Sequence, residues 1–275
     1  MASRAGPFQA TRGILNLLAR HRQLTWVMAK REVGDRYAGQ MLGLCWAIGH
    51  PLLLMGVYLF VFAVVVKMKL GGTYEMPLDY TTYLLAGLIP WMSFQEVMNK
   101  APVTMTANAS LVKQVVFPLE VLPAKGVLAA LFTQGICLAI LVGYVLLSHH
   151  ALPWTYALLP LLVLLQVVGM CGVSYALCSI GAYVRDLKDV VQVFCIIGVY
   201  LMPIFYLPNM VPRTFRPALY VNPFSYLVWC YQDLCYYGRF EHPWAWAVLT
   251  VLSFACFYGG YRLFQRLKPY FGNVL

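Results

Sequence analysis

From Leu44 onward the chain alternates long apolar blocks with short polar segments, and six blocks stand out, near 44–66, 80–99, 121–147, 155–183, 189–207 and 244–264. Each is close to the ~20 residues a helix needs to cross ~30 Å of hydrocarbon, where only a helix closes its own backbone hydrogen bonds. The pattern predicts an all-α integral membrane protein with six transmembrane helices. The second block is the weakest, because its continuous apolar run ends at Phe94 and Gln95 and Glu96 follow. An even number of crossings requires it nonetheless. Residues 1–43 form a separate N-terminal segment and residues 44–275 the six-span domain.

Composition agrees with this layout. Hydrophobic residues make up 61% of the chain and charged residues 11%, too few solvating groups for a soluble globule of this length. The charges also orient it. With the N-terminus placed in the cytoplasm, the outer segments hold Lys67, Lys69, Arg213, Arg216 and Arg239, and the other fifteen of the 20 Lys and Arg lie inside. That asymmetry predicts both termini in the cytoplasm. It also accounts for the net charge of +10 as topology and contact with anionic membrane lipid. Nucleic acid is not an expected partner, since no basic patch is interleaved with aromatics.

Before the first block, residues 13–33 read as an amphipathic helix lying on the membrane surface. Ile14, Leu17, Leu18, Leu24, Val27 and Met28 are interrupted by Arg20, His21, Arg22, Lys30 and Arg31. The segment has no clean apolar core of a cleavable signal, so the first span is expected to direct insertion.

Chemistry is sparse. The eight cysteines form no metal-ligand spacing and most fall inside spans, where Cys behaves as a small apolar side chain. Cys230 and Cys235 both lie in the outer segment; their pairing stays open, although a five-residue spacing on a helix suits it poorly. His149 and His150 read as solvated turn residues without an acidic partner, and no metal site is expected. No phosphate loop GxxxxGK[ST], GxSxG or HExxH occurs. The chain therefore reads as a non-enzyme without a cofactor of its own.

Two connections carry more information. Residues 100–120, flanked by Glu96 and Glu120, contain a short proline-bounded segment too polar to span. As a docking helix it would offer Leu111, Val115 and Val116 as apolar anchors and Lys113 as a rim charge; an ordinary amphipathic loop is the competing reading. In the outer segment 208–243, the stretch from Phe224 to Cys235 is too short and mixed to cross, which suits a re-entrant or interfacial helix.

Several motifs in order resemble one family. They are Arg31-Glu32 with Arg36-Tyr37, then Leu42-Gly43, Trp46 and Pro51; Gly87-Leu88-Ile89-Pro90-Trp91; and Asn108 through Lys113 to Phe117-Pro118. Arg185-Asp186, Pro203 with Tyr206, and Asn222-Pro223 complete the series. Together they resemble the permease subunits of ABC-2-type exporters, in the branch that exports lipid-linked polysaccharide such as O-antigen, teichoic acid and capsule. Gln40 and Met202 depart from it, each standing where Ser is common.

The resemblance implies a permease that pairs with a second copy of itself and with two ABC ATPase subunits, which bind ATP and Mg. It places the protein in a bacterial cytoplasmic (inner) membrane, exporting a polyprenyl-linked polysaccharide through a dimeric channel. Coupling to the ATPases would run through Asn108, Leu111, Lys113, Val115 and Val116. The channel would lie mainly between the first and fifth spans. There aromatic rings can stack on sugar faces without ionic trapping, making Tyr58, Phe62, Phe194, Tyr200, Phe205 and Tyr206 the candidates. Interfacial anchoring and packing compete for each of them. Tyr226, Trp229 and Tyr231 are outer-gate candidates on the same grounds. Arg31, Arg36 and Tyr37 stand where a lipid pyrophosphate would arrive, with positive-inside anchoring the alternative. Two other functions remain open: an ABC-2 permease for a drug or lipid, and a membrane glycosyl- or acyltransferase.

Overall fold

The computed structural model describes residues 20–65, 78–114 and 117–274, and among them it is helical throughout, with no strand. The longer helices are α1 (Arg22–Tyr37), α2 (Trp46–Leu59), α3 (Tyr80–Lys100), α4 (Val121–His149), α5 (Leu159–Gly181), α6 (Leu187–Gly198), α7 (Pro223–Gln232) and α8 (Pro243–Leu267). Three helical runs are long and apolar enough to cross a membrane: Val121–His149, Trp154–Gly181 and Pro243–Tyr270. They match the third, fourth and sixth blocks of the sequence. Trp46–Phe62 is apolar but shorter, and α2 runs on into a wider π turn over Phe60–Val65.

The second block is helical from Tyr80 to Lys100, and its weak hydropathy has a physical reason. α3 is the hub of the bundle, with fourteen of its 21 residues buried, among them Tyr83, Ile89, Trp91 and Ser93. A helix enclosed by other helices needs no lipid-facing apolar surface and can carry Ser, Gly and Pro at packing positions.

The fifth block departs from the expected 189–207 helix. α6 and a short 3-10 turn end at Leu201, and the backbone becomes extended at Met202, before Pro203. A residue preceding proline is pushed out of helical geometry. The carbonyls freed there are taken up: Gln232 Nε2 donates to the Pro203 oxygen at 2.8 Å, Tyr83 Oη to the same oxygen at 3.0 Å, and Tyr80 Oη to that of Phe205 at 2.8 Å.

α5 and α8 form the tightest pair. A Cβ on Gly260 would stand 2.0 Å from the Gly172 carbonyl oxygen, and one on Gly172 would stand 2.3 Å from the Cys256 carbonyl carbon. Small residues permit this backbone approach, the usual source of helix association where lipid removes the hydrophobic drive.

Of the expected surface helix, the described part is helical from Arg22 and extends past residue 33 to Tyr37. The positions of Ile14, Leu17 and Leu18 lie outside the described residues. α1 rests on α4. The outer segment contains α7, continued by a π turn over Asp233–Tyr237, close to the stretch expected from Phe224 to Cys235. Both its cysteines, Cys230 and Cys235, are buried free thiols.

Candidate functional site

At the end of α3 where the 101–114 segment begins, α1, α3 and α4 meet through charge. Arg36 pairs with Glu96. Lys100 Nζ lies 3.5 Å from Glu96 and 3.7 Å from Glu32, and Lys125 Nζ lies 3.1 Å from Glu32. Burial alone would raise the Glu32 carboxyl, yet Lys125, then Lys100 and Arg36, hold it below its ordinary value. These partly buried pairs fix α1 to two helices at once, which isolated surface pairs do not achieve.

Beside the network opens a cavity of about 520 Å³ between α2, α3 and α4. Its lining includes the charged Arg36, Glu96 and Lys100 with the amide of Asn99, and the apolar Leu54, Ile89, Ala130 and Cys137. Ser93 Oγ and Asn99 Oδ1, both on this wall, are buried without a hydrogen-bond partner. Farther in, Gln134 Nε2 donates to Gln166 Oε1 at 2.8 Å and Gln166 Nε2 returns a bond to Gln134 Oε1 at 3.1 Å. Tyr231 closes this knot through its hydroxyl.

The entrance candidates separate. Arg36 lines the cavity, whereas Arg31 is 81% exposed and pairs with Asp35. The side chain of Tyr37 lies outside what the structure describes. The coupling candidates sit on two short helices, Thr104–Ala107 and Ala109–Gln114. Asn108 joins them, its Nδ2 donating to the Thr104 carbonyl at 2.7 Å. Leu111 is half-buried and Lys113 exposed; Val115 and Val116 lie outside the described residues. The C-terminal turn Phe271–Val274 packs against the second helix. Nearby, Lys268 Nζ binds the buried carboxylate of Glu120 at 2.7 Å.

Five of the six channel candidates converge. Phe205 stacks on Phe62 with ring centroids 4.2 Å apart and touches Tyr58 and Tyr200 at 5.2 and 5.6 Å. Tyr206 Oη donates to the Tyr200 carbonyl at 2.9 Å. Phe205 itself is buried, while Tyr200 is half exposed. Phe194 stands apart against Trp91 and Phe224. The outer-gate candidates also divide. Tyr226 and Trp229 join Tyr220, His242 and Trp244 in an aromatic cluster, whereas Tyr231 is fully buried in the glutamine knot.

Sequence reasoning missed two carboxylate anchors. Asp233, fully buried, accepts from the His242 backbone at 3.1 Å and lies 2.9 Å from His242 Nδ1. Asp79 lies 3.1 Å from His149 Nε2 and accepts from Tyr144 and Thr82 at 2.6 Å. The expectation that His149 lacks an acidic partner is thus corrected: Asp79, seventy residues earlier in the chain, is brought to it by the antiparallel course of α3 and α4. Burial would raise Asp79, but donation from Thr82, Tyr144 and His149 leaves it below its ordinary value. His150 does serve as a turn residue, capping α4 in the left-handed region at φ 55°. The signal for the glutamine knot was present: Gln134 and Gln166 each interrupt an apolar span, where a polar side chain requires a partner.

A buried hub helix, three long apolar crossings and polar knots at both ends define a multi-pass membrane protein. The chain belongs to the ABC-2 type transporter family, whose model matches residues 23–236. Among curated relatives, it is 27% identical to the O-antigen export system permease protein RfbA of Klebsiella pneumoniae, over 90% of this chain and 93% of that protein. RfbA of Myxococcus xanthus is 26% identical over 94% of this chain and 97% of its own length. The polysialic acid transport protein KpsM of Escherichia coli is 21% identical over 72% of this chain and 75% of its own.

Proposed function

We propose that this chain is the membrane permease subunit of an ATP-driven exporter for lipid-linked cell-surface polysaccharide. The observation that carries the reading is the end-to-end likeness to O-antigen export permeases, over 90% of this chain. The weaker likeness to a polysialic acid transporter supports a polysaccharide cargo rather than a drug or simple lipid.

In this reading α2, α3 and α6 join the three long helices as six crossings of the bacterial inner membrane, with both termini cytoplasmic. Two copies assemble through the exposed apolar faces of α2 and α6, which carry Leu53 and Val57, with Phe60 just beyond, on one helix and Val190, Val193 and Ile197 on the other. The cluster of Tyr58, Phe62, Tyr200, Phe205 and Tyr206 borders the channel, offering flat apolar faces with hydroxyls for sugar rings. Tyr226 and Trp229 belong to the outer mouth. Arg36 receives the pyrophosphate of the polyprenyl carrier, supported by its place in the cavity beside Lys100.

Two partner ATPases, each with its own ATP and Mg, dock on the helices around Asn108, Leu111 and Lys113. Their motion reaches α3 directly, because Lys100 ends that helix where the docking segment begins.

The test is glycan display in cells lacking this chain, rescued with and without its cognate ATPase, while lipid-linked polymer is followed inside the cell. Internal accumulation relieved only by both proteins supports the proposal. Loss of polymer synthesis, restored by this chain alone, overturns it in favour of a membrane enzyme.

A further inference from the structure

A second cavity, also of about 520 Å³, runs between α1 and the outer surfaces of α4 and α5, and none of the interactions above fills it. α1 contributes Arg22 and Trp26, α4 Val127 and Leu128, and α5 Val167 and Cys171. The walls are apolar except at the α1 end. Trp26, 63% exposed, is a large ring left uncovered beside an arginine, the pairing that suits the boundary between headgroups and hydrocarbon.

The lining covers one turn of each bundle helix, Ala124 to Leu128 on α4 and Val167 to Cys171 on α5, about 6 Å at ~1.5 Å per residue. A slot with a cation at its mouth and apolar walls beneath it matches the two chemistries of a phospholipid, charged headgroup and acyl chain.

The charge at the mouth specifies which phospholipid. On this face Glu32 is engaged by Lys100 and Lys125, Asp35 by Arg31, Glu96 by Arg36, and Glu120 by Lys268. Among the described residues Arg20 and Arg22 have no acidic partner. Guanidinium groups left without carboxylates take phosphate oxygens in the same forked geometry.

We propose that this groove holds one anionic phospholipid, with its phosphate on Arg22 and an acyl chain along Val127, Leu128 and Val167. The proposal rests on the membrane placement described above, but not on the polysaccharide cargo. The lipid completes the seat of α1, which is salt-bridged to the bundle at its Glu32 and Arg36 end and open beneath its Arg22 end. The anionic lipid content of the membrane thereby becomes a determinant of how firmly the surface helix is held.

The experiment places a benzophenone amino acid at position 128 of the full-length protein, reconstituted in vesicles of phosphatidylethanolamine with a minor share of phosphatidylglycerol. Illumination is followed by intact-mass analysis. The expected product is a phospholipid adduct enriched in phosphatidylglycerol over its share of the vesicle, with the enrichment falling about tenfold in Arg22→Glu, as loss of a charge-assisted contact implies. The same label at position 26, an exposed site, provides a second reading should position 128 not tolerate it. Adducts that follow the bulk lipid ratio overturn the proposal, as does a crosslink within the chain to residues 1–19 or to a second protein. Flotation of the same sample with the vesicles separates the two premises: a protein that floats without the adduct refutes the lipid site alone, and one that does not float refutes the membrane placement.

Discussion

Gly181, the last residue of α5, is pressed against Pro102: a Cβ on this glycine would stand 2.1 Å from the Pro102 carbonyl oxygen and 2.6 Å from its Cα. The segment that leaves α3 toward the two short helices Thr104–Ala107 and Ala109–Gln114 is therefore seated backbone to backbone on the end of α5. Gly181→Ala cannot be relieved by a side-chain rotation and must move the Ala101–Val103 turn. The expected cost is about 1–3 kcal/mol, with export and ATPase stimulation falling more than membrane insertion. Gly126→Ala is the control, since nothing lies within 4 Å of a Cβ there. Thermal unfolding and export measured side by side check both.

The contact between Gly172 and Gly260 predicts a different failure. Either alanine substitution pushes α5 from α8, and each is expected to lower the unfolding temperature in detergent, at about 1–3 kcal/mol. A Cβ on Gly172 meets the Cys256–Phe257 backbone and one on Gly260 meets Gly172, but one separation of α5 from α8 relieves both, so the double variant should cost less than the sum of the singles. Full additivity would show that each clash is relieved locally rather than by moving the helices apart.

Much of this architecture was legible in the chain. The blocks at 121–147, 155–183 and 244–264 became helices within a few residues of the expected ends, because an uninterrupted apolar run has few alternatives. The block at 189–207 misled because Met202, Ile204 and Phe205 are as apolar as a span. The Pro203 carbonyl nonetheless accepts from Tyr83 and Gln232 and that of Phe205 from Tyr80, residues remote in sequence. The site divides the same way. Arg36 is visible as a charge at a span edge, but its partner Glu96 is sixty residues away, and pairings at that separation leave no local pattern. The same holds for Asp79 with His149.

Asp233 offers a test of the outer segment. His242→Ala leaves a fully buried carboxylate without its ring partner, and an acceptor stripped of a hydrogen-bond partner in the interior is expected to destabilise by about 1–3 kcal/mol. Asp233→Asn with His242 intact should cost less, since an amide oxygen still accepts from the His242 backbone and from Trp246. Chemical unfolding of the two variants ranks them. Equal stability of both would remove the Asp233–His242 ring contact as the reason this segment is anchored to α8.

The Glu32 network gives a pH dependence with a definite sign. Its folded carboxyl lies below the ordinary 4.5, so the stabilisation is fully present above that value and is lost as pH falls through the depressed folded one. Wild type should therefore exceed Glu32→Gln in thermal stability at neutral pH, and the gap should close only on the acid side of 4.5. A gap that persisted unchanged into strong acid would assign the effect to packing.

Arg36 and Glu96 allow the phosphate role to be separated from the ion pair. Arg36→Ala is expected to impair export at matched expression while leaving insertion intact, but it also leaves Glu96 with Lys100 alone at 3.5 Å, so by itself it does not distinguish the two roles. The reversed pair, Arg36→Glu with Glu96→Arg, restores the attraction between α1 and α3 and inverts the charge that each helix presents to the cavity. Stability should recover in part relative to Arg36→Glu alone, since the guanidinium on α3 now also faces Lys100. Export should not, because the guanidinium now projects from α3 and a carboxylate stands where the pyrophosphate would bind, a like-charge contact costing several kcal/mol at an interface. Recovery of export together with stability would reduce Arg36 to a strut that holds the surface helix.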